Sequence, residues 1–269
     1  MTGKDEKEPV TPVPAATIML LREREEELQV FMVVRHHQID FASGALVFPG
    51  GKVDDQDFGE DLLPFLTGAD ADTNTRAIQV SAIREAFEEC GILLAYDLNE
   101  PKQTLVSGAR LGNLDACRRQ LNDGSLSLLD FLKNENLSLA CDQLVRFAHW
   151  ITPPMMPKRF DTHFYLAVAP DDHLAVHDGY ESVDSVWISP DQAVADAQEG
   201  RRTVIFPTRL NIQKLGQSQT ISQALARAHN DTIVAVLPWT EKRQDGDYVC
   251  IPVEAGYAVS EEKIPPRQT

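Results

Sequence analysis

The chain has 269 residues, 43% of them hydrophobic and 25% charged, with 41 Asp and Glu against 25 Lys and Arg for a formal charge of −16. That length accommodates one large domain or two small ones, with enough apolar residues for a sizeable core. The acidic balance argues against general affinity for nucleic acid or an anionic membrane, but not against an anionic small molecule whose charge a bound divalent metal would offset.

Residues 1–13 are charged and proline-punctuated and lack an apolar h-region, so they read as a disordered tail and not a secretory signal. No run approaches the roughly 20 apolar residues that span a bilayer. Cys90, Cys117, Cys141 and Cys250 form no CxxC pair, which argues against a zinc site or a disulfide framework and fits a reducing, cytoplasmic setting. The runs "ATIMLLRE" and "LQVFMVVRH", joined by "REREEE", predict a β-hairpin. "GALVFPGG" predicts a short strand entering a glycine turn, and "TGADADTNT" a loop that starts a helix over about 75–90, stopped by Gly91. Helical spacing over about 97–144 predicts a helical insertion. Strand character returns in "FAHWITP", "THFYLAVA" and "DSVWIS". Ser189 and Pro190 then start a helix that Gly200 ends, and a further helix is expected at 212–215 or 222–229. "TIVAVLP" and "GDYVCIPV" read as a last strand pair. Chain order alone defines a mixed α/β protein.

Within the helix over 75–90, Val80, Ile83, Phe87 and Cys90 fall on one stripe, with Glu85, Glu88 and Glu89 projecting from the opposite side. Clustered carboxylates suit a hard cation such as Mg²⁺ or Mn²⁺, although three glutamates alone also describe a solvated helix face. The upstream "FPGG" turn adds backbone carbonyls near such a metal.

Together these stretches resemble the Nudix box, G-x5-E-x7-R-E-U-x-E-E-x-G-U with U apolar. Gly51 opens the box, and Arg84, Glu85, Ala86, Glu88, Glu89, Gly91 and Ile92 match its second half. Asp57 stands where the pattern has its first glutamate, and 26 residues separate it from Arg84 where the pattern has seven, an excess of 19. The segments "VVRHHQIDFASGALVFPGGKVDDQD", "REAFEECGILLA" and "WITPPMMPKRFDTHFYLA" are similar to the interrupted-box branch that includes a peroxisomal coenzyme A diphosphatase. The chain ends "PPRQT" without a Ser-Lys-Leu peroxisomal address, which points to a bacterial or cytoplasmic relative.

The resemblance implies an α/β/α sandwich over residues 14–260, with an insertion at 58–76 inside the box, the helical insertion, and a C-terminal tail at 261–269. It implies metal-dependent hydrolysis of a nucleoside diphosphate linked to another moiety. Glu85, Glu89, Glu88 and the Gly51 carbonyl would hold Mg²⁺ or Mn²⁺, with Arg84 orienting the carboxylates and Glu88 also a candidate base. Glu181 is a second candidate base, and Arg35, Lys52, Lys158 and Arg159, with His36 and His37 nearby, are candidate substrate cations. Met155 and Met156 could line a channel for a pantetheine arm. The substrate reading is coenzyme A or acyl-coenzyme A, with NADH, ADP-ribose or another nucleotide derivative as the enzyme alternative and a non-catalytic nucleotide sensor as the alternative of another class. The helical insertion is expected to serve as a lid or a homodimer surface.

Overall fold

The computed structural model describes residues 10–35, 44–100, 102–173 and 182–265, apart from the side chains of Arg35, Ser182 and Val183. The expected hairpin forms from β1 (Val13–Arg24) and β2 (Glu27–Arg35), joined by a two-residue turn in which Glu25 and Glu26 hold φ of 54° and 63°. Two successive left-handed residues give the turn a twist that matches that of the strands. Side chains along β1 alternate between two cores, Ile18 and Leu20 in one, Met19 and Leu21 in the other. A strand buried on both faces reads as an unbroken apolar run, as this one does.

β3 (Leu46–Val47) and β4 (Gly50–Lys52) are wedged in where the hairpin strands part, β3 pairing with β2 and β4 with residues 15–17 of β1. Two 3₁₀ turns, Asp55–Phe58 and Glu60–Phe65, lead through β5 (Leu66–Thr67) to α1 (Thr73–Cys90). Asp72 caps α1 by accepting from the Thr75 N–H, and Gly91 ends it at a left-handed φ of 70°, as the sequence indicates.

After β6 (Ala95–Asp97) come α2 (Gly108–Leu111), α3 (Asp115–Asn122) and α4 (Leu128–Glu135), then β7 (Leu137–Ala140). The segment expected to be helical over about 97–144 is therefore α-helical only within Gly108–Glu135, with a 3₁₀ turn at Cys141–Gln143. Its end pairs with β6 and β5 in a small three-stranded sheet. An apolar run of four residues carries too little periodicity to separate strand from helix.

β8 (Val145–Ile151), β9 (Phe160–Val168) and β10 (Ser182–Ile188) return to the main sheet. α5 (Pro190–Gln198) is capped by Ser189, and both segments considered for the next helix are helical, within α6 (Phe206–Leu215) and α7 (Ile221–Asn230). The expected last strand pair does not form. β11 (Ala235–Val236) joins β8, whereas β13 (Gly246–Cys250) pairs with β12 (Trp239–Arg243) and β14 (Glu261–Lys263) in a separate sheet.

The main sheet runs β10-β2-β1-β9-β8-β11 and is mixed, with β1·β9 and β8·β11 parallel. α1 and the inserted helices bury Ile83, Phe87, Leu121 and Phe131 against one face, and α5, α6 and α7 bury Ala193, Leu210 and Ala224 against the other. This is the expected α/β/α sandwich.

Candidate active site

The acidic side of α1 is not a solvated face. Glu88 and Glu89 are only 8% and 7% exposed, and most of the helix is buried around its full circumference. The carboxylates do not project freely because the glycine turn and the Asp55–Phe58 turn pack over that side, while the insertion packs on the end of the helix and on its apolar stripe. From α3, Arg118 Nε and Asn122 Nδ2 donate to the Glu88 carbonyl at 3.0 and 3.1 Å, and Phe131 of α4 stacks on Phe87 at 5.5 Å between ring centroids.

What makes the buried acids tolerable is Arg84, itself 3% exposed. Its Nε and Nη2 donate to both oxygens of Asp57 at 3.0 Å, Nη1 donates to Glu85 Oε1 at 2.9 Å and to Glu88 Oε2 at 3.0 Å, and Nη2 also reaches the Lys52 carbonyl at 3.1 Å. The carboxylate of Asp57 is fully buried and also accepts the Asp54 N–H at 2.9 Å. Asp57 thus fills the place of the missing glutamate as a bidentate partner for Arg84. The 3₁₀ turn at Asp55–Phe58 sets it there, and the 19 extra residues loop away afterwards.

Burial alone would lower the Arg84 pKa, but the Asp57 hydrogen bonds and the charges of Glu85, Asp57 and Glu88 outweigh it and raise it above the usual value. Burial raises the Asp57 and Glu88 carboxyls, and Arg84 pulls each back only in part. One cation shared among three acids explains both directions.

The glycine turn closes the site from the sheet side. The Gly50 N–H donates to Glu89 Oε2 at 2.9 Å, and the Lys52 carbonyl accepts Ser81 Oγ at 3.1 Å. A Cβ on Gly51 would lie 2.4 Å from Glu85 Oε1, so the glutamate carboxylate occupies the space a side chain there would need. The donors gathered here are all oxygens on a rigid helix beside an open backbone turn, which fits a hard divalent cation held by a few carboxylates and completed by water and phosphate oxygens.

The remaining predicted residues are dispersed. Lys52 is exposed at the end of β4, and Lys158 is exposed in the turn between β8 and β9 with Met155 and Met156, which are 64% and 37% exposed. Arg159 corrects its expectation of gripping phosphate: it is buried, its Nε donating to the Thr152 carbonyl at 2.9 Å and its Nη1 to the Val10 carbonyl at 2.6 Å. Arg35 ends β2 opposite Ser182 of β10. The side chain of Arg35, and all of His36, His37 and Glu181, lie outside the described residues.

Sequence reasoning missed Arg118 and Asn122, which no local pattern marks. It also missed a group formed by His149, Asp161 and His163. The Asp-x-His spacing of 161–163 within a strand was its one legible signal, since alternate residues share a face.

The NUDT19 Nudix domain family model matches residues 69–215. The chain belongs to this family of Nudix hydrolase domains. It is similar to "Putative nudix hydrolase 7" of Caenorhabditis elegans, 28% identical over 193 residues, covering 70% of this chain and 56% of the relative. It is also similar to "Acyl-coenzyme A diphosphatase NUDT19" of Xenopus laevis, at 24% identity over 70% of this chain and 60% of the relative. The chain therefore spans less than two thirds of the length of either curated relative. Among solved structures, a NUDIX hydrolase from Alicyclobacillus acidocaldarius superposes with a TM-score of 0.65 at 25% identity, covering 80% of this chain and 96% of that one.

Proposed function

We propose that the chain hydrolyses a nucleoside diphosphate linked to another moiety, with Mg²⁺ or Mn²⁺ as cofactor, and that its substrate is coenzyme A or an acyl-coenzyme A. The observation that carries the reading is the Arg84-centred cluster, in which Asp57, Glu85 and Glu88 are tied to one guanidinium while Glu89 is tied to the glycine turn. Glu85, Glu89, Glu88 and the Gly51 carbonyl would hold the cation, which supplies charge neutralisation of the diphosphate. Arg84 fixes the carboxylate orientation, and the buried helix keeps that arrangement from relaxing. Glu88, pushed up by burial, is suited to proton transfer at its carboxylate.

The coenzyme A reading draws on the name of the Xenopus relative and on what collects at one end of the sheet. Lys52 sits beside Gly51 there, and the β8–β9 turn with Lys158, Met155 and Met156 reaches the same end. Adaptable methionines left in solvent suit a thin thioester arm. We place the protein in a reducing, cytoplasmic setting, in keeping with its four free cysteines. No helix among the described residues is long and apolar enough to cross a membrane. Homodimerisation through the helical insertion is proposed with it, and light scattering that finds a strict monomer would remove that part.

The test is a substrate panel of coenzyme A, acetyl-coenzyme A, NADH and ADP-ribose, each with Mg²⁺ or Mn²⁺. Coenzyme A and its thioester should be cleaved fastest, to 3′,5′-adenosine diphosphate and the phosphopantetheine product. Glu89→Gln keeps an acceptor for the Gly50 N–H, so it should fold yet lose activity by orders of magnitude. Preferred cleavage of NADH or ADP-ribose would overturn the substrate class, and undiminished Glu89→Gln turnover would overturn the metal assignment.

A further inference from the structure

Among the described residues, His149, Asp161 and His163 bring one donor atom each within 4.8 Å of one another. They stand on two neighbouring antiparallel strands. His149 of β8 faces His163 of β9 directly, and Asp161 is opposite Ile151, so the three share one face of the sheet. The imidazoles stack at 4.0 Å between centroids with 23° between planes. His149 Nε2 is hydrogen-bonded to Asp161 Oδ1, and His163 Nε2 lies 3.8 Å from that same oxygen.

Two ring nitrogens are drawn to a single oxygen of Asp161, whose side chain is 38% exposed, while each histidine side chain is 18% exposed. The cluster is therefore open to an entering ion.

From this juxtaposition of Nε2, Nε2 and Oδ1 we infer that the chain carries a second divalent-metal site, for a Zn²⁺-class transition metal, separate from the carboxylates of the box. Two imidazoles and a carboxylate on one face form a three-ligand set with open positions, a set that suits Zn²⁺ or Fe²⁺ and not Mg²⁺. First-row ions take these donors at about 2.0–2.2 Å, so modest rotamer adjustment closes the triad around an ion. The site has a defined relation to the box. Gly51 pairs with Ala16, Ala16 with His163, and His163 with His149 across successive strands. At about 4.8 Å per strand, His163 lies two strands or about 10 Å from Gly51. Ala16 and Tyr165 belong to the core on the α1 side, which puts the His163 side chain on that face too. An ion there would have open positions available to water or to an anionic oxygen.

The test is binding of Co²⁺ alone, with no nucleotide, to the full chain and to Glu89→Gln, followed by ligand-field absorption and by the NMR shifts of the His149 and His163 ring protons. Both proteins should bind one Co²⁺ that perturbs both rings, with Zn²⁺ displacing it. His149→Gln and His163→Ala should each weaken that binding by at least about 100-fold, more than the 10–100-fold typical of losing a group behind a ligand. Asp161→Asn, nearly isosteric, covers the case in which a histidine variant fails to fold, and should also weaken binding. Loss of ring perturbation in Glu89→Gln would show that the ion belongs to the box, and unchanged affinity in the His149 and Asp161 variants would show that the triad binds nothing. Either result overturns the inference, and neither depends on whether the chain hydrolyses coenzyme A.

Discussion

Replacing Asp57 by alanine removes the bidentate partner of a guanidinium that is 3% exposed. Breaking a buried ion pair from one side costs about 3–5 kcal/mol, because the remaining charge stays buried without compensation. Arg84 would still hold Glu85, Glu88 and the Lys52 carbonyl, which puts the expected loss near the lower end, about 3 kcal/mol. Asp57→Asn keeps the shape but gives up the charge and turns an amide N–H toward an Arg84 or Asp54 donor, so its loss should be comparable, about 2–3 kcal/mol. Urea unfolding at neutral pH reads this directly as a fall in midpoint at constant slope. Activity should fall further than stability does in Asp57→Ala, since the tether that orients Glu85 and Glu88 is loosened. An Asp57→Ala protein within about 0.5 kcal/mol of the parent, the range of an ordinary surface change, would refute the reasoning.

The two glycines of the turn should separate by phenotype. A Cβ on Gly50 would lie 2.2 Å from the Ala16 carbonyl oxygen at a φ of 152°, so Gly50→Ala should destabilise the fold by at least about 1–3 kcal/mol. Gly51→Ala meets the movable Glu85 carboxylate instead, so thermal unfolding should change little while turnover collapses. Arg118→Ala and Asn122→Ala each remove a donor to the Glu88 carbonyl, and each should cost about 0.5–1.5 kcal/mol in denaturant unfolding, with additivity failing in the double variant because they share an acceptor. In α5, hydrogen bonds from Arg201 and Gln192 hold the Asp196 carboxyl below its usual range. A depressed acid contributes stability above its unfolded pKa, so the advantage over Asp196→Asn should be present at pH 7 and disappear as pH falls below about 3.9. An advantage that persisted in acid would point to packing instead of charge.

The sequence by itself determined the elements whose signals are local. Gly91 ends α1, Ser189 and Pro190 start α5, and the apolar runs of β1 and β2 define a hairpin, because caps, turns and periodicity act within a few residues. The spacing of Arg84, Glu85, Glu88 and Glu89 is likewise a local fact, and with it came the family and the sandwich. Whether those acids face water was not a local fact. The helix stripe left a solvated face open as a reading, and the glycine turn and the Asp55–Phe58 turn, brought in from earlier in the chain, buried it. The role of Asp57 depended on how a 3₁₀ turn folds back upon Arg84 across 27 positions, a closure that residue counting cannot show. Arg159 looked like a phosphate ligand until two carbonyls claimed it, and the histidine–aspartate group exists only because β8 and β9 pair in one register. Each of these was decided by long-range packing, which brings together groups whose chemistry depends on neighbours that the chain supplies from elsewhere.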